Sequence, residues 1–597
     1  MTGSGVVDPI TLAVIKGRLE QIVDEMDAII VRTAFSPVIS EQKDRASGIF
    51  HPETGEVVAQ GSDTLPVFMT ALQFSAQAMM DEAKRRGGFR RGDVYMTNNP
   101  YLGGTHLPDV KMVAPVYEDD RLIALVAACG HWNDIGGTTP GGFAPGATES
   151  AHEGILINPI PIYCGGELQS DLFELILANV RMPGDRRGDT AAITSALNTG
   201  CNRLVDLMRQ YGENILLQSF AELNDRSEQH MRMLIGEIPD GTYTFTDALD
   251  NDGQVDRPLE IHLALKIARD GIVFDFSGSS PLSRGPLNVS RPTCIAACQI
   301  ALKHIFPEIP INGGCFRPFD FVIPSDSFVG VEHPYPVSGY LETVSRVISV
   351  VFGALSEALP DRVPGDYFGT TGVITFSGTH PERGTFAVQI MPAAGGYGGL
   401  ADGDGLVNGP TALGSANYPS VEAVEHRLPV RVERLAIREG SGGAGRHAGG
   451  CGTEYAYQAL GDVSGAVLGD RHKFVPFGVH GGGPALGAEV VFDGADGGKD
   501  LPMVTKGVRT LEASDRIAYC SPGGGGHGPP WQREAEKVLN DVTLGYVTPD
   551  QARESYGAAL TRTEDGEGLV TWSVDGAATE SLRAEMRKGA GDTAQER

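Results

Sequence analysis

Two His-x-x-Asp clusters, His106/Asp109 and His131/Asp134, stand in the stretch from Asn98 to Gly142. Each lies beside a Gly-Gly pair, which lets the backbone turn tightly and approach a ligand closely. Imidazole nitrogen with carboxylate oxygen is a mixed ligand set that suits Zn, Mn or Fe in the divalent state. One such cluster in a loop is ordinarily a capped turn with a solvated histidine. Two of them, flanked by glycines and at opposite ends of one hairpin, point to half of a mononuclear metal site. The run Asp134-Ile135-Gly136-Gly137-Thr138-Thr139 also imitates a phosphate-binding turn of actin-like kinases. Pro140, Gly141, Gly142 and Pro145 follow, where that motif needs a strand, and residues of this kind do not continue a ladder.

The hairpin itself is read from two apolar β-runs, Val110 to Val116 and Leu122 to Cys129, with the acidic turn Glu118-Asp119-Asp120 between them. It brings the two clusters to one end of a sheet. Upstream, three- and four-residue spacing of Ile15, Leu19, Ile22 and Met26 predicts a helix from Ile10 to about Thr33, with Asp8 as N-cap. Ala46 to His51 and Glu56 to Gln60 read as strands, and Asp44 sits just before the first, where a carboxylate could face a cleft. A helix to about Arg86 stops at Gly87-Gly88. Gly92 to Met96 then leads as a strand into the Asn98 loop. Past the hairpin, Glu149, His152 and Glu153 form a short acidic and imidazole cluster. It offers a further ligand, a supporting carboxylate or a general base, or else marks a solvent-facing helix start. Leu172 to Arg181 and Thr190 to Tyr211 are helical.

From about Gly241 the texture turns β-rich, and from about Thr375 short β-runs alternate with glycine-rich loops. The expected architecture is a mixed α/β, or α+β, multidomain chain. Residues 1–240 form an N-terminal domain with the candidate metal site, 241–374 a β-rich middle domain with helices, and 375–597 a glycine-rich mixed C-terminal domain. The i, i+4 pair Glu342/Arg346 reads as a modest surface contribution. Arg446 and His527, in glycine loops whose amides offer anion-binding nests, read as ligand-facing or as scaffold turns. Residues after about Leu582 read as a polar, frayed tail.

Length and composition exclude several classes. At 597 residues, 41% hydrophobic and 21% charged, the chain has an ordinary soluble composition with room for a large core. Its formal charge of −28 argues against nucleic acid or an anionic membrane as partner. The N-terminal stretch carries acidic residues within its apolar periodicity, unlike a signal peptide, and no apolar run approaches a membrane span. Eight scattered cysteines form neither a zinc-finger spacing nor a secreted framework, which fits a reducing cytoplasm.

Several longer runs, NNPYLGGTHLPD, GHWNDIGG, NVRMPGDRRGD, EHRLPVRVERLAIREGSGGAGRHAGG and SPGGGGHGPP, resemble the B subunit of the ATP-dependent hydantoinase and oxoprolinase family. That family also includes the large subunits of acetone and acetophenone carboxylases. The resemblance covers roughly Asp8 to Tyr556 in order. It implies a partner, an actin-like ATPase subunit that uses ATP, in a hetero-oligomer such as α2β2, and a small cyclic amide (hydantoin, 5-oxoproline or lactam) as substrate. It matches His106, Asp109 and His131 to metal ligands and Asp44 to a fourth, leaving Asp134 as substrate-facing or supporting. Phosphorylation by the partner would make the amide oxygen a good leaving group, and water acidified by the metal would attack the ring carbon, with Glu149 or Glu153 moving the proton. Relatives often carry two consecutive histidines where this chain has His131-Trp132, so Trp132 either reshapes the pocket or packs. Alternatives are a ketone carboxylase subunit and a scaffold partner with a structural metal.

Overall fold

The computed structural model describes residues 7–414, 416–493, 506–564 and 570–595. The N-terminal part is built on one seven-stranded sheet. Its strands are β1 (Arg45–Phe50), β2 (Val57–Gln60), β3 (Val94–Thr97), β4 (Asp109–Glu118), β5 (Arg121–His131), β6 (Ile160–Cys164) and β7 (Glu167–Leu168), in the order β2-β1-β5-β4-β3-β6-β7. The hairpin β4/β5 is its centre, so its side chains are buried on both faces. Even-numbered positions such as Met112, Ala114, Val126 and Ala128 face a core closed by α1 (Pro9–Thr33) and α5 (Pro183–Tyr211). Odd-numbered positions such as Val113, Leu125 and Ala127 face the opposite core, closed by α3 (Pro66–Arg85). Between these helices lie the short α2 (Pro37–Ser40) and α4 (Ser170–Leu177), and α6 (Glu213–Ile235) follows α5. Asp8 caps α1 as expected, its carboxylate accepting from Thr11 N.

A second, four-stranded sheet follows, ordered β11-β10-β9-β8, with β8 (Gly241–Leu249), β9 (Leu259–Ala268), β10 (Gly271–Asp275) and β11 (Phe319–Val322). Helix α8 (Tyr340–Leu355) packs on it, and α7 (Arg291–Ile305) packs in turn on α8 and α3. Every residue of α8 is buried. Glu342 and Arg346 are therefore not the surface pair their spacing suggested. The Glu342 carboxylate accepts from Thr370 Oγ1 at 2.6 Å and Thr371 N at 3.0 Å. Arg346 instead reaches Asp247 and Asp470.

The C-terminal part pairs two four-stranded sheets around one core. One is ordered β13-β12-β16-β18, from β12 (Val373–Thr379), β13 (Phe386–Met391), β16 (Val463–Leu468) and β18 (Lys506–Leu511). The other is ordered β14-β15-β19-β17, from β14 (Val430–Ile437), β15 (Thr453–Ala459), β17 (Glu489–Asp493) and β19 (Arg516–Cys520). Helix α9 (Val421–Arg427) precedes β14, and the chain ends in α10 (Ala535–Thr543), α11 (Pro549–Glu554), the hairpin β20 (Leu560–Glu564)/β21 (Val570–Val574) and α12 (Gly576–Gln595). The expected frayed tail is thus largely helix, anchored where Arg583 donates to Tyr556 O and Arg533 O.

The glycine-rich loops are not anion nests. Segments around Gly396–Gly399, Gly442–Gly450, Gly482–Gly483 and Gly523–Gly526 run side by side, and their amides go to neighbouring carbonyls: Gly399 N to Gly525 O, Gly443 N to Gly524 O, Gly526 N to Gly483 O. None of these glycines needs a left-handed backbone. What they need is space, because a Cβ on Gly525 would overlap Phe477 O and one on Gly449 would overlap Gly524 O. Backbone cannot yield as a side-chain tip can. Gly525→Ala is expected to destabilise the protein by about 3 kcal/mol or more, read as a lowered thermal midpoint; an unchanged midpoint would show that the bundle can widen.

Candidate active site at the end of the central hairpin

Asp109 and His131 are cross-strand partners at the open end of β4/β5. Residues directly opposite in an antiparallel pair point to the same face, so register alone brings them together on the α3 side. β1 lies on the other flank of β5, with Arg45 opposite Gly130, and His131 N donates to Asp44 O at 3.1 Å. Three adjacent strands therefore deliver three candidate residues to one place. His106 arrives from the loop before β4. That loop is held by Asn98, whose side-chain amide donates to Leu107 O at 2.8 Å and Ile155 O at 2.9 Å and whose oxygen accepts from Ile157 N.

His106 Nε2 lies 3.2 Å from Asp109 Oδ1 and 3.3 Å from His131 Nδ1, and His131 Nδ1 lies 2.9 Å from Asp109 Oδ1. These three atoms form a small triangle with all three side chains buried. Edges of this length are what ligands about 2.1 Å from a shared divalent ion would have. The donor set, two imidazoles and one carboxylate on a single face, fits a metal and leaves further coordination positions open. Asp44 stands slightly apart, its Oδ2 3.9 Å from His131 Nδ1 and its Oδ1 without a hydrogen-bond partner. Thr105 Oγ1 donates to Asp109 Oδ2 and thereby orients the carboxylate.

Electrostatics prepare the same set. Burial drives the His106 imidazole down to about 4, against the pull of Asp109, so it is neutral with a lone pair to offer. Asp109 stays well below the usual carboxylate range although burial opposes ionisation, because both histidines outweigh it. His131 also resists protonation through burial, yet Asp44 and Asp109 raise it. Burial lifts Asp44 to about 6, only partly offset by His131.

The cluster closes one end of a cavity of about 470 Å³. Phe143 and Tyr340 pack against His106, with ring centroids at 5.1 and 4.8 Å. Asp44, His106 and His131 line the cavity with residues from α3, the start of α8 and the C-terminal sandwich, including Tyr455 and Thr371. Those distant walls carry no local signature and were not foreseen from sequence. Trp132, one residue past His131, points the other way by strand alternation. It is buried among the α1/α5 core side chains with Arg186 over its ring at 5.6 Å, so it packs and does not shape the cavity.

The other three sequence candidates lie off the cavity. Asp134 is a buried acceptor for Gly136 N, Gly141 N, Arg181 N and Arg181 Nη1, pinning the 134–141 loop. Glu149 is exposed, with His152 Nε2 at 3.2 Å. Glu153 is buried, its Oε1 accepting from Ser338 N at 2.6 Å and its Oε2 without a partner. Burial raises Glu153 to about 7, against its backbone hydrogen bonds. The unfolded carboxyl ionises near 4.5, so the folded state holds the extra proton between about 4.5 and 7. Its contribution to stability falls as pH rises through that window and levels off above it. Glu153→Gln is expected to flatten this decline and to gain up to about 3 kcal/mol relative to the parent at pH 8. Thermal midpoints at pH 5 and pH 8 check this, and equal pH dependence in both proteins would refute it.

Fold and site together define a mixed α/β chain with a candidate mononuclear metal centre at the end of an apolar cavity. The family model described as Hydantoinase B/oxoprolinase matches residues 8–530, and the chain belongs to that family. A Pseudomonas sp. (strain NS671) protein, named as the B subunit of a D-/L-hydantoinase, is 29% identical, over 94% of this chain and 96% of its own. The beta subunit of the Pseudomonas jessenii caprolactamase is 29% identical over 97% of this chain and 99% of its own. The crystal structure of that organism's ATP-dependent caprolactamase superposes with a TM-score of 0.89 at 28% identity, covering 97% and 100% of the two chains. The nucleotide-free structure of an acetone carboxylase gives a TM-score of 0.89 at 18% identity, covering 98% of this chain and 83% of that one, which establishes a shared fold. No helix among the described residues is long and apolar enough to cross a membrane.

Proposed function

We propose that this chain is the metal-dependent hydrolytic subunit of an ATP-dependent cyclic amide hydrolase, acting in the cytoplasm with an actin-like ATPase subunit. The observation that carries the reading is the convergence of His106, Asp109 and His131 on one point at the end of the cavity. Relatives named as hydantoinase and caprolactamase subunits support the reaction class and the need for a partner. His106, Asp109 and His131 would hold the ion, and Asp44 is the nearest further carboxylate. A divalent ion there supplies Lewis acidity, polarising a carbonyl and acidifying water.

The chain's own residues do the rest. Tyr340 and Phe143 hold the His106 ring in place. Asp44, among the described residues the one carboxylate that lines the cavity beside the cluster, accepts the proton released when water adds to the ring carbon. The buried Tyr340 hydroxyl is kept protonated by burial and by Asp109 and Asp44, so it offers a donor to a ligand oxygen. Glu149, Glu153 and Asp134, off the cavity, act in this reading only through the loops they hold. The test is product mass after incubation of the chain, a co-expressed ATPase subunit, ATP and a panel of lactams and hydantoins. Gain of one water with ATP consumption supports hydrolysis. Incorporation of labelled bicarbonate without any ring opening would replace it with carboxylation.

A further inference from the structure

A second cavity, of about 760 Å³, shares a wall with the one beside the His106/Asp109/His131 cluster. The wall is the segment that leads into α3: Leu65 and Val67 line the cavity at the cluster, while Thr64 and Pro66 line this one. Its floor is apolar and buried, formed by Leu12 and Leu19 of α1, Val58 and Ala59 of β2, and Ile309. α6 closes one side with Leu223, Arg226, Ser227 and His230, the i, i+3, i+4, i+7 stripe of one helix face. Asn312 Nδ2 donates to Leu223 O at 3.2 Å and to Ser227 Oγ at 2.8 Å, which pins the 307–312 segment of the cavity to this helix.

The charges around it are unevenly committed. Of the lining carboxylates, Glu308 is paired with Arg362 at 2.9 Å and Glu20 with Lys16 at 3.7 Å. Arg226 is paired through Nε, with Glu222 at 2.8 Å, which leaves the Nη edge of its guanidinium for a ligand. The His230 imidazole lies one turn further along the same face. Positively charged donors above an apolar floor fit a molecule with an apolar body and one carboxylate. A second negative charge on the ligand would meet Glu20 and Glu308.

We infer that this second cavity is a binding site for small amphipathic monocarboxylates, separate from the cavity at the cluster, with the carboxylate on Arg226 and His230 and the apolar body on the α1/β2 floor. Opening a cyclic amide with water leaves a carboxylate, so on the reading above the chain's own product belongs to this class, as do free aliphatic acids.

The experiment is isothermal titration calorimetry of the full chain with octanoate, octan-1-ol and N-carbamoylphenylglycine, the carboxylate left by opening 5-phenylhydantoin. A carboxylate also ligates a divalent ion, so His106→Ala, which removes that route, is titrated beside the parent. In both proteins octanoate is expected to bind this site at least about tenfold more tightly than octan-1-ol. Arg226→Glu, at an exposed position, is expected to weaken octanoate at least about tenfold and to spare octan-1-ol. Ala13→Trp, filling an exposed lining position on α1, is expected to weaken both. N-carbamoylphenylglycine bound by His106→Ala and weakened by Arg226→Glu makes the product an occupant; its binding to the parent alone assigns the site to aliphatic acids. Octanoate binding that disappears in His106→Ala, or that neither Arg226→Glu nor Ala13→Trp weakens, overturns the inference. Binding is read separately from turnover, so failure of the hydrolase reading would leave this site standing, and failure here would leave the metal centre untouched.

Discussion

His106→Ala is expected to yield a folded protein that no longer retains a divalent ion and has lost ring-opening activity. Three side-chain atoms form the proposed ion-binding face, and none of the three has a substitute at the same distance: Asp44, carried in just ahead of β1 on the flank of β5 away from β4, stays 3.9 Å from His131 Nδ1. Loss of a mere supporting residue commonly costs ten- to a hundredfold in metal affinity, so loss of a direct ligand is expected to cost at least about a hundredfold. Metal content by mass spectrometry should fall from about one ion per chain to below about a tenth. The truncation also leaves space beside Phe143 and Tyr340, at a cost of about 2–3 kcal/mol, which a chain with this much core tolerates. Asp109→Asn keeps the shape and removes only the charge, so it separates packing from ligation. Full metal occupancy and full turnover in His106→Ala would refute the assignment. Retained metal in the parent with no turnover under any partner condition would favour a structural ion.

What could be read from the chain alone follows a physical boundary. The hairpin, its buried two-faced strands and the juxtaposition of Asp109 with His131 follow from two continuous apolar runs and from the rule that opposed residues share a face. Asp44 became interpretable only through the β1/β5 pairing, a contact between strands far apart along the chain. The side of the sheet that Trp132 takes, toward the α1/α5 core, is equally a matter of alternation. Two misreadings and one reading left open have a common cause. Glu342 and Arg346 looked like a surface pair, Arg446 and His527 could equally have been ligand-facing or scaffold turns, and the end of the chain looked frayed, because local spacing does not say what packs on top. Burial of α8 between α7 and the β8/β9 sheet, and of glycine backbone by glycine backbone, are tertiary facts. The cavity walls from residues beyond 370 belong to the same class, and they are what turn a ligand cluster into a site.

The second large effect lies away from the chemistry, where three parts of the chain meet. Arg346 on α8 donates to Asp247 of β8 at 2.9 Å and to Asp470, just after β16, at 2.8 Å. Arg471 binds the same Asp247 at 3.0 Å and pairs with Asp366, while Lys506 of β18 reaches Asp470 at 2.7 Å. Arg346, Arg471 and Lys506 together with Asp247, Asp470 and Asp366 interlock the middle sheet, α8 and the C-terminal sandwich, and all but Asp247 have essentially no exposed side-chain surface. A buried pair stabilises little against an apolar replacement of both members, whereas removing one member strands the other's charge. Arg346→Met is therefore expected to destabilise by about 3–5 kcal/mol, seen as a lower thermal midpoint and faster proteolysis at the junction. Adding Asp470→Asn should cost less in that background than in the parent, with a coupling above about 1 kcal/mol. The first turn of α8 carries Tyr340 and Leu341 into the cavity beside the cluster, so loosening this network should also weaken binding of cyclic amides. Additive single and double effects, with ligand affinity unmoved, would show that the charges are independent of one another and of the site.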